Sequence, residues 1–459
     1  MTPQPIPGTE RSDPVQLVCL VALVATHGTI RLAERYLPEF VSALGYGPVV
    51  VGSLVTLGLG VAVAASERSS EATGDDSSTG LETTVVAVLS AALAAIGLFA
   101  WAGAPTLDTL LGTPLSALGW LTVGVVLLQA WHVAGPARDL WPVDTRVSTG
   151  LTSADAVGDD DVDSSSPRRT IGLDRRTRIV VGALGVAAAA VLATAAVASV
   201  GGIGAGFALL AATGAAVALV GAVALGAVRD RPRLLGDRPR RDGPADDSVP
   251  EPDPSLTVVR RAVSQLPDRR RWAVIGDALV RVAIAGITPF LILLVVEYRP
   301  IALSVGGLSL APAAVFGLFV LVEAVGAIAG AVSFPVLASR VDRRALLAVG
   351  LAALSLVPMA LVAAPARAGV VAALFALLGF RTAIEPLRPT VGASARAAPV
   401  PGPALPDEIR TAVRIAVVPA PLLGGLLYAI DPLVAVTAAT TLGLLGVREL
   451  GRAFTWDRQ

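Results

Sequence analysis

Long runs of apolar residues, separated by shorter polar stretches, extend along most of this chain. A helix that spans a bilayer needs about 20 mostly apolar residues, and the runs have that length. They are continuous rather than alternating, which excludes an outer-membrane barrel, whose strands alternate over about ten residues. The pattern therefore predicts twelve membrane-spanning helices. They lie near residues 15–40, 48–65, 84–104, 115–135, 179–200, 203–228, 272–296, 306–338, 345–364, 368–388, 411–430 and 433–450.

A polar segment rich in Pro and Arg separates the sixth apolar run from the seventh. Its composition is typical of a linker. We therefore expect two six-helix halves, residues 1–228 and 272–459, joined by a cytoplasmic linker over residues 229–271. Two other polar insertions, residues 66–82 and 139–178, are predicted to be irregular.

The composition supports the membrane assignment. Hydrophobic residues make up 54% of the chain and charged residues only 16%, whereas charged residues form about a quarter of a soluble protein. The 36 basic residues balance the 36 acidic ones, so no net charge favours nucleic acid as a partner. All the basic residues are Arg, which together with Asp-rich loops indicates a GC-rich genome and a salt-loving prokaryote. The predicted fold class is all-α integral membrane.

Cysteine and histidine content argues against a metal or disulfide framework. Cys19 is the single cysteine, which excludes an intramolecular disulfide and any cysteine-clustered metal site. The two histidines, His27 and His132, lie on different predicted helices, a poor arrangement for zinc. We expect neither a metal nor another cofactor.

The distribution of Arg predicts the orientation, because basic loops near span ends stay cytoplasmic. With a cytoplasmic N-terminus, the opposite loops hold only Arg299 and Arg367, and Arg35 near the outer end of span one is a mild exception. We expect a multi-pass protein of the cytoplasmic membrane with both termini in the cytoplasm. The cytoplasmic loops then collect the linker cluster and Arg138, Arg146, Arg168, Arg169, Arg175, Arg176, Arg178, Arg340, Arg343 and Arg344.

Charged residues inside the predicted spans are the main candidates for a function. A charge at the bilayer centre costs about 2.5 to 3.5 kcal/mol on insertion scales, so it needs a partner, a wet cavity or a role. Such residues concentrate in spans one, four, seven and ten, and Glu323 lies alone in span eight. The members are His27, Arg31, Glu34, His132, Asp277, Arg281, Arg381 and Glu385.

The spacing within these spans is helical. Asp277 and Arg281 are four residues apart, as are Arg381 and Glu385 and also His27 and Arg31, so each pair shares one helix face. The alternative interpretation is that they are ion pairs that merely tolerate burial. Two further arginines near span ends, Arg138 and Arg388, are expected to extend to the cytoplasmic surface.

Two short matches at one offset indicate duplicated halves. Arg31 and Arg281 are 250 positions apart, and residues 135–138 match residues 385–388 at the same offset. Internal repeats of this kind predict two related structural units.

A motif between spans eight and nine resembles the signature of the major facilitator superfamily. The family pattern is roughly Gly-x-Leu-Ala-Asp-Arg-x-Gly-Arg-Arg, and the segment 335–344 reads PVLASRVDRR. It keeps Leu-Ala, the Arg and the final Arg pair, and departs at Pro335, Ser339 and Asp342. The equivalent N-terminal loop, residues 66–82, lacks the motif. The similarity covers the whole chain in topology, and from 271 to 427 the residues resemble haloarchaeal members.

The resemblance implies two six-helix bundles around a central cavity that opens alternately to each side. In this family, helices one, four, seven and ten line the cavity, and these spans carry the embedded charges. The implied function is secondary active transport of a small solute, without enzyme activity, by a monomer in contact with membrane lipids. The cytoplasmic gate would comprise Arg340, Asp342, Arg343 and Arg344.

Two groups of cavity residues follow from that interpretation. A positive set would suit an anionic or zwitterionic solute, and a set of acids would exchange coupling protons. The expected solute-binding residues are Arg31, Arg281, Arg381, His27 and His132. The expected proton-coupling residues are Asp277, Glu323, Glu385 and Glu34.

Three other functions remain open at this point. Proton-driven drug efflux is compatible with Glu323, which lacks an intrahelical partner. A sensor or scaffold with the same fold would explain the missing N-terminal motif. A membrane enzyme acting on a diphosphate would use the acidic run 159–163. Two motifs are interpreted as structural, namely the glycines 202–206 as a turn and the Pro- and Gly-rich segment 419–425 as a kink and packing device.

Overall fold

The computed structural model describes residues 14–72, 80–107, 110, 115–134, 175–200, 202–227, 256–305, 308–391 and 405–455. The acidic run 159–163 and Arg138 lie outside the described residues.

The described residues form the predicted set of helices. The N-terminal half contains α1 (Pro14–Ala43), α2 (Pro48–Ala72), α3 (Gly80–Gly103), α4 (Ala117–Ala134), α5 (Arg175–Val200) and α6 (Ile203–Ala227). The C-terminal half contains α7 (Asp268–Ile287), α8 (Pro312–Arg340), α9 (Arg343–Ala363), α10 (Ala368–Phe380), α11 in two segments (Asp407–Val417 and Ala420–Ile430) and α12 (Pro432–Thr455).

Length and composition agree with a membrane-spanning fold. Nine of the described helical segments are long and apolar enough to cross a membrane, and two apolar helices, Ala117–Val133 and Ala368–Ala383, are shorter. Helix α1 is not among these nine, but its 30 residues, at about 1.5 Å per residue, exceed the hydrocarbon thickness. The prediction of an all-α integral membrane fold with twelve helices is confirmed. A short antiparallel hairpin, Leu303–Val305 with Leu308–Leu310, joins α7 to α8.

Several predicted boundaries need correction. Helix α2 continues to Ala72, so residues 66–72 are helical rather than irregular. The sequence there, SERSSEA, includes Glu67, Arg68, Glu71 and Ala72, which are good helix formers and extend the helix beyond its apolar run. Within the expected linker, Leu256–Gln265 forms a short helix, and α7 begins at Asp268 directly after Pro267.

The span that begins with α7 continues beyond Ile287, the last α-helical residue. The chain continues without a break through a 3₁₀ turn (Thr288–Phe290), one α turn (Leu291–Leu293) and a π turn (Leu294–Tyr298). Pi turns occur mainly as single bulges inside helices and often at functional sites. The extension places Glu297 at the far end of this span.

Helix α10 ends at Phe380, eight residues before the predicted boundary at 388. The chain continues as three 3₁₀ turns, Arg381–Ala383, Glu385–Leu387 and Pro389–Val391. Pro386 and Pro389 cannot donate the hydrogen bonds of an α-helix, and each disfavours helical backbone at the residue before it. The stretch 381–391 is called the α10 extension below.

Close helix packing joins the two halves along α2 and α11. A methyl group on Gly52 would lie 2.4 Å from the Pro421 carbonyl oxygen, and one on Gly425 would lie 2.6 Å from the Pro48 carbonyl oxygen. The Leu422 amide donates to the Thr56 hydroxyl at 3.0 Å. Only glycine permits this backbone approach, as is common between membrane helices. The segment 419–425 is thus the kink and packing device predicted from the sequence.

Candidate functional site

Glu323 on α8 is held by two arginines from two other elements. It lies 11 residues into the helix, about 16 Å along its axis, and only 8% of its side chain is exposed. Arg35 Nη2 on α1 donates to Oε1 at 2.9 Å, and Arg381 Nη1 of the α10 extension donates to the same oxygen at 3.1 Å. We call Arg35, Glu323 and Arg381 the Glu323 cluster. With two guanidinium groups around one carboxylate, the Glu323 cluster carries a net positive charge.

This arrangement changes the interpretation of two residues. Glu323 does lack an intrahelical partner, but Arg35 and Arg381 neutralise it from other helices. The sequence interpretation set Arg35 aside as an exception to the charge rule, and so missed a site residue. Arg35 is four residues after Arg31, so the helical repeat places both on one face of α1. That spacing could have identified Arg35.

Two buried polar atoms of the Glu323 cluster have no partner. Glu323 Oε2 and Arg35 Nη1 form no hydrogen bond within the described residues, although both atoms are shielded from solvent. A buried donor or acceptor without a partner is unfavourable by about 1 to 3 kcal/mol, and more when it is charged. The Arg35–Glu323 ion pair therefore contains one buried acceptor and one buried donor that form no hydrogen bond with described residues. A ligand that carries both an acceptor and a donor would satisfy them together.

Glu385 connects this cluster to a second one. Its Oε1 lies 3.9 Å from Arg381 Nε, so the predicted pair four residues apart is present as a long ion pair. Arg281 on α7 lies in the electrostatic field of Glu385, Arg388 and Asp277. The charges of α8, the α10 extension and α7 thus form one connected series.

Asp277 on α7 is fully buried and accepts three hydrogen bonds. Arg388 Nε donates to Oδ1 at 2.7 Å, the Thr390 amide donates to Oδ2 at 3.1 Å, and the Thr390 hydroxyl also donates to Oδ2. Arg281 Nη1 then contacts the Thr390 hydroxyl at 3.3 Å. These four residues are called the Asp277 cluster. It fastens the α10 extension to α7.

The Asp277 cluster corrects two expectations. The hydrogen-bonding partner of Asp277 is Arg388, not Arg281 one turn along the same helix. The expectation that Arg388 extends to the cytoplasmic surface is wrong, because the residue is only 8% exposed. Its backbone is extended, with φ −73° and ψ 125°, as the following Pro389 favours. The chain therefore folds back toward α7 instead of continuing as a helix.

A third cluster lies between α1 and α4. Glu34 contacts His132 Nε2 at 2.6 Å through Oε1 and accepts from Arg31 Nη1 at 3.2 Å through Oε2. His27, one turn before Arg31, interacts electrostatically with all three. We call His27, Arg31, Glu34 and His132 the Glu34 cluster. The Arg31 side chain is 51% exposed, so this cluster is wetter than the other two.

The motif between α8 and α9 has a clear local role. Asp342 caps the N-terminus of α9, since its Oδ1 accepts from the Arg344 amide at 2.9 Å. Arg340 is the last residue of α8, where a cation stabilises the helix dipole. The gating role of Arg340, Asp342, Arg343 and Arg344 stays a prediction.

Sequence comparisons give no match, whereas structural comparisons give many. No family model matches the chain, and no curated protein matches its sequence. The solved structure of nucleoside transporter NupG covers 96% of this chain and 100% of its own, with a TM-score of 0.61 and 11% identity. Peptide transporter POT in complex with sulfate covers 97% and 96%, with a TM-score of 0.61 and 14% identity. The E. coli fucose:proton symporter FucP covers 97% and 98%, with a TM-score of 0.52 and 15% identity.

These similarities establish the fold and nothing finer. The chain is a multi-pass membrane protein whose fold, over nearly its whole length, is that of these transporter structures. Identities of 11% to 15% do not carry residue roles from one protein to another. Residue roles for this chain must therefore rest on its own contacts.

Proposed function

We propose that this protein is a secondary active transporter, not an enzyme, that moves a small solute across the cytoplasmic membrane by alternating access. The observation that carries the proposal is the Glu323 cluster. Arg35 belongs to the N-terminal half, and Glu323 and Arg381 belong to the C-terminal half. An ion bridge between halves that move relative to each other must break and re-form, which makes it sensitive to a solute that competes for either charge.

The fold supports transport as the general activity. Its structural neighbours bear the names nucleoside transporter, peptide transporter and fucose:proton symporter. Their diversity leaves the solute open. Domain boundaries at 1–228, 229–271 and 272–459, cytoplasmic termini and a monomeric state remain part of the proposal.

The open atoms of the Glu323 cluster support an anionic or zwitterionic solute. Arg35 Nη1 would donate to a carboxylate, phosphate or carbonyl oxygen, and Glu323 Oε2 would accept from an ammonium or hydroxyl group. A zwitterion satisfies both with charge-assisted hydrogen bonds, which are roughly twice as strong as neutral ones. Arg31, Arg281, His27 and His132 would add positive or polar lining to the same path.

The acids of the site support proton coupling to different degrees. Glu323 retains an oxygen without a hydrogen bond among the described residues, whereas Glu34 contacts His132 through one oxygen and Arg31 through the other. Glu385 makes only a long ion pair. Asp277 already accepts three hydrogen bonds, which suits a fixed charge better than a proton carrier. We therefore rank Glu323 and Glu385 ahead of Glu34 and Asp277 as proton-coupling residues.

The first experiment is a thermal-stability screen of purified full-length protein against a metabolite and drug library at two pH values. A ligand that binds only the native state raises stability by mass action, by about 2.7 kcal/mol at a hundred times its Kd. Arg35→Lys and Glu323→Gln should abolish the shift from any hit. Glu408→Gln is the matched control, because Glu408 lies at the start of α11, outside the three clusters.

Reconstituted flux of the hit then decides between transport and other functions. Flux that depends on a pH gradient and is lost in Glu323→Gln supports a proton-coupled transporter. Binding without flux would favour a sensor or scaffold with this fold. A hit list of lipophilic cations, with binding unaffected by Arg35→Lys, would favour drug efflux and refute the anionic or zwitterionic solute.

A further inference from the structure

Glu39 is a buried acid that none of the three clusters uses. It lies near the C-terminal end of α1 and is only 7% exposed. Its Oε2 forms no hydrogen bond with any described residue. A carboxylate in this position is unfavourable unless a partner or a proton compensates its charge.

The groups that face Glu39 come from α7 and α11. Glu297, in the π turn of α7, is the charged residue that acts on Glu39, and it is also an acid. The Ser42 hydroxyl, one turn after Glu39, donates to Glu297 Oε1 and not to Glu39. Tyr428 on α11 is a further titratable neighbour, since both Glu39 and Glu297 act on it electrostatically. Within the described residues, no arginine pairs with Glu39.

These residues lie where the two halves touch. Glu39 and Ser42 belong to the N-terminal half, whereas Glu297 and Tyr428 belong to the C-terminal half. The same end of α1 is fastened to α8, because the Tyr36 hydroxyl donates to the Ala313 carbonyl at 2.9 Å. This end of the interface between the halves is therefore closed in the structure.

Two acidic residues of opposite halves, Glu39 and Glu297, thus lie near each other, because Ser42, one turn after Glu39, donates to Glu297. No described basic residue pairs with Glu39 to compensate its charge. Like charges that share a site of low dielectric cannot both ionise without a large penalty. One proton shared by the pair removes the repulsion. Opening the contact would hydrate Glu39, and a solvated carboxyl group gives up its proton to water near neutral pH.

We propose that Glu39 is a proton-binding site of the transport cycle, loaded when α1 contacts the end of α7 and emptied when they separate. On closing, the Glu39 carboxylate takes one proton from water; on opening, the same proton returns to water on that side of the membrane. Burial of Glu39 makes closure require the proton, and Glu297 is the positioning residue whose charge strengthens that requirement. The inference rests on the proposed function, since alternating access supplies the opening and closing.

The test measures the distance between the halves at this end, without any solute. Spin labels are placed on Ala43→Cys and Leu433→Cys, both exposed, in a Cys19→Ala background. Ala43 ends α1, and Leu433 begins α12 next to the end of α11. Full-length protein in lipid nanodiscs is measured by pulsed electron paramagnetic resonance between pH 5 and pH 9.

The expected result is a contact that is closed at low pH and opens as the pH rises. Glu39→Gln, which cannot ionise, should keep the short distance over the whole range. Glu297→Gln removes the repulsion but leaves Glu39 buried, so it should move the opening to a higher pH without abolishing it. It serves as a second variant if Glu39→Gln fails to fold, and an opening at the same pH as in the parent would count against the proposal. Glu408→Gln, at the opposite end of α11, should respond like the parent.

Two outcomes overturn the proposal. One is a parent distance that does not change with pH. The other is a pH response in Glu39→Gln equal to that of the parent. Because no solute is needed, a failed flux assay with an intact pH response would refute transport and leave the proton site standing. Flux without a pH response at this end would support transport and refute the proton site.

Discussion

Replacing Asp277 with Asn tests whether the Asp277 cluster stabilises the fold by holding the α10 extension against α7. The carboxylate is fully buried, and its hydrogen bonds come from Arg388 and Thr390. Asn keeps one acceptor oxygen but turns an amide toward donors that need an acceptor. It also leaves the Arg388 guanidinium buried without an anion.

The expected cost follows from that unpaired charge. Removing one partner of a buried ion pair destabilises a protein by about 3 to 5 kcal/mol, whereas replacing both with apolar residues is often neutral. Arg388 Nη2 already has no hydrogen-bond partner within the described residues, so we expect no other group to replace the lost carboxylate. We expect Asp277→Asn to lie in that range and the double variant Asp277→Asn/Arg388→Met to recover at least half of the loss.

Equilibrium unfolding in mixed detergent micelles measures both variants, and the double-mutant cycle isolates the pair. If Asp277→Asn lowers the free energy of unfolding by less than about 1 kcal/mol, the stabilising role is refuted, because no buried charge would then be uncompensated. A double variant no more stable than the single one would also refute it. A stable Asp277→Asn whose flux has lost its pH dependence would instead return Asp277 to the proton-coupling set.

Three further predictions concern other parts of the chain. Gly52→Ala should destabilise the protein by about 1 to 3 kcal/mol in a thermal-unfolding assay, because its new methyl group would meet a backbone carbonyl of α11; Gly451→Ala, whose methyl group meets open space, should not. Glu34→Ala and His132→Ala should each weaken binding of any solute found by the screen, and in titrations the double variant should be no weaker than the worse single one, since each removes the same 2.6 Å contact. Deleting residues 150–166 should leave flux unchanged, and loss of flux would revive the enzyme interpretation of the acidic run there.

The helices were predictable because hydropathy alone determines which segments can cross a bilayer. The acids Glu34, Asp277, Glu323 and Glu385 were predictable for the same reason, since each interrupts an apolar run. Glu39 was missed, because it lies at the very end of the first predicted span. The local spacing also identified the pair Arg381 and Glu385, which the structure contains as a long contact.

The partners were not predictable, because they come from distant parts of the chain. Arg35 and Glu323 are 288 residues apart, and Asp277 and Arg388 are 111 apart. A helical repeat reports only neighbours three or four residues away. The sequence therefore favoured Arg281 as the partner of Asp277, while the actual partner depended on where Pro386 and Pro389 end a helix.

The broken end of α10 has a consequence for how this molecule can move. Lipid offers no hydrogen bonds, so irregular backbone at membrane depth is tolerated only where protein or a wet cavity surrounds it. Most of the α10 extension is buried, and Asp277 fastens it to α7. That segment must stay sheltered in every state, and so it travels with α7 as one rigid piece. The contact between α2 and α11 differs from it, because close backbone packing and the hydrogen bond from Leu422 to Thr56 join these helices. Separating α2 from α11 there would cost packing and one hydrogen bond but no ion pair of the described residues.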